Sequence, residues 1–448
     1  MIAALLSLLL VAAPAPAVAH AGCGGHELIV PRQMAAPTDV ASQSQIKDPQ
    51  QQCTPYQYPR IAAIQANYPT IWQTATIPAA DTAARELFAR INATVNEKLP
   101  NAGLKPAAGP PGLPNYDRSD PDCWWTWQGC STPNPSLGIP ADVVRIPEPN
   151  SLGMTVDDGP NCSQNAFYDF LREQNQKVSM YYIGSNVMIW PLQAMRGHQD
   201  GHEICVHTWS HQAMTSLTNE QVFAELYYTR QIIKDLMGFT SRCWRPPQGD
   251  VDNRVRLIAA GLNLTNILWI EDSNDWRANV AGSAVTPADV DRRYQGVIDQ
   301  AKGGNYSTQG TILLSHQSTN YTMSTLMKWL PQLKAAFAHV VPVASGMNWT
   351  TPYAESNFTY PSFAQIIANQ SASAPGSVSA SGPSASVSIG GNNAAASGSV
   401  TGTASRSGAP SGSGAGSAAS SSRAAGWRSS EVGTGGVVLA AVLAWAAL

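Results

Sequence analysis

Met154-Thr155-Val156-Asp157-Asp158-Gly159-Pro160 sets two carboxylates side by side at the end of an apolar run that begins at Leu152. Adjacent carboxylates repel, so a strand that ends on such a pair needs something positive beside it, and a metal ion is the simplest candidate. His207-Thr208-Trp209-Ser210-His211 places two imidazoles four residues apart, on one side of a helical turn, where both reach one ion. With Asp158 they make a two-histidine, one-carboxylate set that leaves a position for water, as in hydrolytic zinc sites. Asp157 is then the neighbouring base. Arg242-Cys243-Trp244-Arg245-Pro246-Pro247-Gln248-Gly249-Asp250 supplies the Arg245 guanidinium to hold that base ionised, and a proline-stiffened backbone whose amides face the site. Leu313-Leu314-Ser315-His316 ends a buried strand in an imidazole, which donates a proton to a leaving group if Asp275 keeps its pKa high; Trp276 then walls the groove.

Such residues work together only if the fold brings them to one place. Apolar, β-branched or aromatic runs at 152–156, 177–183, 203–206, 242–245, 264–270, 310–315 and 340–344 alternate with helical patterns at 165–176, 187–197, 218–237, 251–260, 286–301 and 322–338. Thr218 with Gln221 makes a capping box, Gly238 a stop, and Thr286-Pro287 a clean start. Seven strands alternating with helices predict an α/β fold with a parallel sheet, open or closed into a barrel. Asp157 and Asp158 follow the first strand, His207 and His211 the third, Arg245 and Gln248 the fourth, Asp272 and Asp275 the fifth and His316 the sixth. In a parallel barrel all of these lie on the carboxyl-end face, where active sites are built.

The remainder of the 448 residues reads as delivery and tethering. Residues 1–19 are small and apolar, end in Ala17-Val18-Ala19 and predict a secretory signal cleaved near Ala19 or Ala21. From Gly22 to about Ile77 the chain is rich in Gln and Pro without periodicity and predicts an extended leader; one helix follows, capped by Asp81, with Leu87, Phe88, Ile91, Val95 and Leu99 on one face. The leader and its helix, 20–140, close on the loop Cys123-Trp124-Trp125-Thr126-Trp127-Gln128-Gly129-Cys130, whose tryptophans suit either a sugar-stacking platform or a plug for one end of the 141–345 domain. Seven cysteines predict disulfides with one thiol left over; Cys123 and Cys130 are expected to pair, and the partners of the others are open. Beyond a glycosylated connector at 346–370, residues 371–425 are mostly Ser, Ala and Gly with almost no large apolar residue and predict a disordered stalk. The small residues at 420–426 and the apolar tail Val437 to Leu448 have the layout of a GPI-anchor signal, removed over 426–448. Eight Asn-x-Ser/Thr sites agree with export, and a charged fraction of 13% with net charge -3 gives no nucleic-acid surface.

The ordered blocks Thr155 to Pro160, His207 to His211, Arg245 to Asp250, Asp272-Ser273-Asn274-Asp275-Trp276 and Leu314-Ser315-His316 resemble the motif set of the polysaccharide deacetylases (carbohydrate esterase family 4, NodB homology) over about residues 140–345. The leader, the Trp loop, the stalk and the anchor signal resemble those of the fungal cell-surface chitin deacetylases within that family. The resemblance implies a distorted (β/α) barrel of about seven parallel strands and one divalent ion, zinc or cobalt. It implies Asp157 as catalytic base, Asp158, His207 and His211 as metal ligands, and Arg245 as the group orienting the base. The Gln248 amide would help hold the oxyanion, Asp275 would tune His316 as the acid, and Leu314 and Trp276 would shape the acetyl pocket. The implied reaction is hydrolysis of N-acetyl groups of chitin, a polymer of N-acetylglucosamine, to chitosan and acetate by an exported enzyme of the cell wall, tied to the plasma membrane by a GPI lipid; neither nucleic acid nor a protein partner is implied. Two positions depart from the family pattern: Val156 stands where Phe is usual, and Gln248 where an aromatic is common.

Overall fold

Residues 36–372, Pro114 excepted, are described by the structure, a computed structural model. Strand β1 (Ser151–Gly159) runs through the middle of an eight-stranded parallel sheet. The others are β2 (Ser179–Tyr182), β3 (Glu203–Val206), β4 (Cys243–Trp244), β5 (Thr265–Asn266), β6 (Glu271–Asp272), β7 (Thr311–His316) and β8 (His339–Val341). Along the sheet the order is β5-β4-β3-β2-β1-β7-β6. All seven expected strands are present in a parallel barrel wall, the last of them as β8, off the main path, and β6 is an additional one. β8 pairs with Ser151 to Gly153, while β2 pairs with β1 only from Thr155 onward, so two strands share one side of β1 and distort the barrel.

The expected strand at 264–270 is shortened to β5, and β6 follows beyond it. Between them Ile267 N still bonds the Trp244 carbonyl (2.9 Å), but the carbonyls of Ile267 and Leu268 accept hydrogen bonds from Arg245 Nε (3.1 Å) and Nη2 (3.2 Å). Five planar donors on one guanidinium let it bond this seam and still reach the site.

Side-chain alternation assigns the two faces. Leu152, Met154 and Val156, with Met180, Tyr182, Ile204, Val206 and Trp244, join the large apolar cluster under the helices, whereas Tyr181, Cys205, Cys243, Ile312 and Val341 form a smaller one inside the barrel. Asn165–Glu173, Asn219–Met237, Asn253–Gly261, Pro287–Lys302 and Asn320–Ala336 cover the outside. The predicted capping box of Thr218 with Gln221 is present, and Gly238 ends its helix at φ 88, a conformation that costs glycine little. The helix expected at 187–197 is broken at Trp190-Pro191 into Gly184–Ile189 and Pro191–Gln199, since proline removes a helical donor.

The segment expected to be an extended leader is folded from residue 36 on. Short helices at Val40–Ser44, Pro49–Gln52 and Pro59–Ile64 lie on the barrel, Ile61, Tyr68, Ala75 and Ile77 are buried in its core, and Cys53 is bonded to Cys162. Aperiodic sequence hid this, because each piece is too short to show a period and is held by contacts with the barrel rather than by its own propensity. At the other end the connector also packs back: Tyr353 and Tyr360 are buried, and Phe363–Ala372 is a helix with Ile366 inward. The expected helix at Thr82–Lys98 is capped by Asp81 and buries Ile91 and Val95. Cys123–Cys130 and Cys205–Cys243 complete the disulfides among the described residues. Asn161 is buried with its Nδ2 donated to the Ser318 carbonyl (2.6 Å), leaving no room in the folded state for a glycan there. The signal segment, Cys23, the stalk from residue 373 on and the anchor signal lie outside the described residues. Among the described residues no helix is long and apolar enough to cross a membrane.

Candidate active site

Asp157, His207, Arg245 and His316 stand at interior-facing positions of their strands or one step beyond, so alternation alone aims them into one end of the barrel. Asp157 and His316 are also partners in the β1–β7 ladder. Asp158 is a different case, because the residue after Asp157 on a regular strand points the other way. It turns back by adopting φ 72, where the β1–β2 register slips between Val156 and Gly159. Two neighbouring carboxylates thereby face the same groove.

Arg245 is fully buried. Its Nη1 donates to Asp157 Oδ1 (2.7 Å) and to Thr155 Oγ1 (2.8 Å), and its plane lies over the Tyr181 ring at 4.1 Å. The expected charge partner of Asp157 is in place, fixed by more acceptors than a surface ion pair would have.

Asp158 Oδ1 lies 3.4 Å from His207 Nε2 and 3.2 Å from His211 Nε2. Burial pushes the Asp158 carboxyl up, but the two imidazoles outweigh it and hold it well below the usual carboxylate range. His207 Nδ1 sits 2.8 Å from the Arg245 carbonyl, which only accepts, so Nδ1 carries the hydrogen. The lone pair of a neutral His207 Nε2 then faces a carboxylate oxygen that has no hydrogen-bond partner of its own. Acceptors facing one another fit a shared cation, and these three residues are suited to hold a divalent ion. Glu203, Cys205 and Cys243 also cluster, but their sulfurs are joined as a disulfide. The two histidines do not share a helical turn, as their spacing suggested. They lie on a loop with Thr208 at φ 65 and His211 at φ 58. That loop is held by Glu225, a buried carboxylate accepting from Trp209 N (2.7 Å), Ser210 N (2.8 Å), Ser210 Oγ (2.6 Å) and Ala75 N (2.8 Å).

Across β1, His316 Nδ1 lies 2.6 Å from Asp275 Oδ1, while Asp275 Oδ2 accepts from the His316 amide (3.0 Å). Burial pulls the imidazole down, but the Asp275 charge and hydrogen bond reverse this, and with Asp158 and Asp157 nearby it is raised to about 10. Trp276 stands edge-on to His316 with ring centroids 6.5 Å apart and is 44% exposed; Leu314, two residues before His316, is buried. Gln248, at φ 58, has its side chain exposed. The next residue, Gly249, has φ +68, and a Cβ there would stand 2.6 Å from Trp125. Trp125 in turn packs edge-on against Trp269 (6.0 Å). Of the Trp loop, Trp124 is wholly buried, its Nε1 donated to Asp250 Oδ1 (2.8 Å), and acts as the plug; Trp125 is only half-buried.

Sequence reading missed Thr155, Tyr181, Glu225 and Trp269. For Glu225 a signal existed: a lone acid among Val222, Phe223, Leu226 and Thr229 on the buried face of a helix. Tyr181 and Trp269 sit in apolar runs, where nothing distinguishes them from core.

Taken together, these elements define a (β/α)-barrel hydrolase whose groove carries a carboxylate–guanidinium pair, a triad fit for a divalent ion and a carboxylate–imidazole pair. The chain belongs to the polysaccharide deacetylase family: residues 145–267 match it, and relatives are similar over most of the chain. It is 53% identical over 365 residues, 78% of each chain, to chitin deacetylase 2 of Cryptococcus neoformans var. grubii. To the chitin deacetylase of Amylomyces rouxii it is 42% identical over 333 residues, 73% of this chain and 77% of that one. The solved structure of the chitin deacetylase from Colletotrichum lindemuthianum is 19% identical, with a TM-score of 0.43 over 48% of this chain and 96% of that one.

Proposed function

We propose that this chain hydrolyses N-acetyl groups of chitin, releasing acetate and leaving glucosamine units of chitosan. The observation that carries the reading is that the Asp157–Arg245 pair, the Asp158–His207–His211 triad and the Asp275–His316 pair converge on one groove in a chain whose relatives at 53% and 42% identity are chitin deacetylases. Asp157, held in place by Arg245, takes the proton of the attacking water. A divalent ion, zinc or cobalt, held by Asp158, His207 and His211 would supply Lewis-acid polarisation and a water of lowered pKa. The Gln248 amide hydrogen-bonds the developing oxyanion. His316, charged by virtue of Asp275, protonates the departing nitrogen, and Leu314 and Trp276 enclose the acetyl group.

Acetate release from N-acetylglucosamine oligomers, run beside acetylated xylan, tests the assignment. Release from the oligomers is expected to stop on chelation and to return with added zinc or cobalt. Preference for acetylated xylan would move the assignment to an O-deacetylase. Oligomer binding without acetate from either substrate, in metal-replete protein, would leave only a carbohydrate-binding role.

The same reading makes the protein a cell-wall enzyme, exported and held at the outer face of the plasma membrane by a GPI lipid attached ahead of 426–448. Phosphatidylinositol-specific phospholipase C is expected to release the activity from intact cells; activity that stays bound until detergent is added would argue for another anchor.

A further inference from the structure

The tryptophan of the His-x-x-x-His motif is wrapped by the N-terminal segment, which the family match at 145–267 does not include. Tyr68 stacks on Trp209 at 5.7 Å, and the Thr70 carbonyl accepts from Trp209 Nε1 at 3.0 Å. Trp72 N donates to Ser185 Oγ (2.8 Å), which itself donates to the Trp209 carbonyl (2.6 Å). Next to Ser185, Asn186 Nδ2 donates to the Asp158 carbonyl (2.9 Å). Residues 68–72 are therefore tied to the helix after β2 and the loop after β3, on the carboxyl-end face of the barrel and beside the metal-ligand triad.

Trp72 is placed at this edge in an unusual way. It has φ 60, a region that bulky side chains seldom adopt, and its ring is 44% exposed. An unfavourable backbone that presents an apolar ring to water adds nothing to the core, and such conformations concentrate at binding sites. The other exposed tryptophan among the described residues, Trp276, follows β6 and stands beside His316. In the sheet order, β1 with Asp157 and Asp158 lies between β2, whose following helix bonds the Trp72 backbone, and β6, so the two tryptophans are attached on opposite sides of the strand that carries the carboxylates.

We propose that Trp72 is a sugar-binding residue, stacking a pyranose ring of the polymer on the metal-ligand side of the groove, one or more units away from the unit being deacetylated. The inference rests on the proposed function for the identity of the polymer. Flat aromatic faces suit pyranose rings because both are amphipathic, with apolar faces and polar edges. A residue that binds remote units, and touches no reacting atom, acts on affinity and leaves the chemical step alone.

The test uses the full exported protein, metal-replete, as wild type, Trp72→Gly and Trp72→Phe. Glycine tolerates a positive φ, so the first variant removes the ring without straining the backbone, and its Tm is not expected to fall; asparagine is avoided because with Gln73 and Thr74 it would create a glycosylation site. With N-acetylglucosamine oligomers from disaccharide to hexasaccharide, Trp72→Gly is expected to raise KM roughly tenfold for the longer members and not for the disaccharide, with kcat unchanged. Trp72→Phe should restore most of that affinity. A KM-against-length curve for Trp72→Gly that superimposes on wild type overturns the proposal. If wild type releases no acetate from any oligomer, the functional reading fails by itself. Calorimetric binding of the hexasaccharide then still decides Trp72: weaker binding by Trp72→Gly supports it, and equal or no binding by both proteins overturns it.

Discussion

Asp157→Asn is expected to lower kcat for acetate release by roughly a thousandfold, within the range that general-base groups contribute. The substitution keeps the size of the side chain and an oxygen for Arg245 Nη1, which now donates to Asp157 Oδ1 at 2.7 Å. It removes the lone pair and charge that could take a proton. A second effect runs alongside, because Arg245 is wholly buried and Asp157 is the one carboxylate in contact with its guanidinium among the described residues. Breaking a buried pair outright costs about 3–5 kcal/mol; the retained amide oxygen, and the bonds of Arg245 to Thr155, Ile267 and Leu268, should keep the loss well below that. The two effects separate experimentally. Tm and zinc affinity report the fold and the triad, and both should remain near wild type while acetate release collapses. A folded, metal-binding Asp157→Asn enzyme that keeps more than about a tenth of wild-type kcat would remove Asp157 from the role of base. Arg245→Lys is the companion variant: one ammonium cannot reach the four acceptors the guanidinium bonds, so it should lose activity while keeping the charge.

The groups proposed to carry the chemistry were legible in the sequence because such groups must be of particular types at particular strand ends. Asp157, His207, Arg245 and His316 each end an apolar run, and alternation along the strands carries these four to one face. What positions them was less visible. Asp158 reaches the groove only through a positive φ, and the two histidines meet on a loop rather than on a helical turn. Residue type marks these conformations only weakly, since Asp and His are enriched at positive φ but adopt it in a minority of cases, and Thr adopts it seldom. Glu225 acts through backbone amides, which every sequence has. The N-terminal segment was misread for a related reason. Its short helices and the contacts of Tyr68 and Ala75 are stabilised by the barrel surface, so local pattern carries no trace of them. Periodicity reports what an element does for itself; the supports of this site are set by what distant elements do for one another.

Asp275→Asn is expected to move the alkaline limb of the pH–activity profile to lower pH and to cut kcat by a hundredfold or more near pH 8, on the order of a general-acid contribution. The sign follows from the environment of His316. Burial alone disfavours the imidazolium and would bring the pKa below its usual 6.5, but the Asp275 charge and hydrogen bond overcome this and raise it to about 10. A proton donor works only while protonated, so wild-type activity persists up to that range and is lost as pH rises through it. Replacing the carboxylate by an amide deletes the largest favourable contribution and leaves burial opposed by Asp158 and Asp157, whose charge a bound divalent ion would offset, and by Asp272. The imidazole of the variant is then largely neutral at pH 8, and lowering the pH should recover part of the activity until loss of the metal intervenes. Stability should change in the same sense. The raised pKa of His316 contributes fully below about pH 6.5 and is lost between there and pH 10, so the Tm difference between wild type and Asp275→Asn should shrink as pH rises through that window. Paired pH profiles of kcat and Tm measure both. An alkaline limb at the same pH in the two proteins would show that His316 is not the group whose deprotonation ends activity, and the acid would have to be sought elsewhere in the groove.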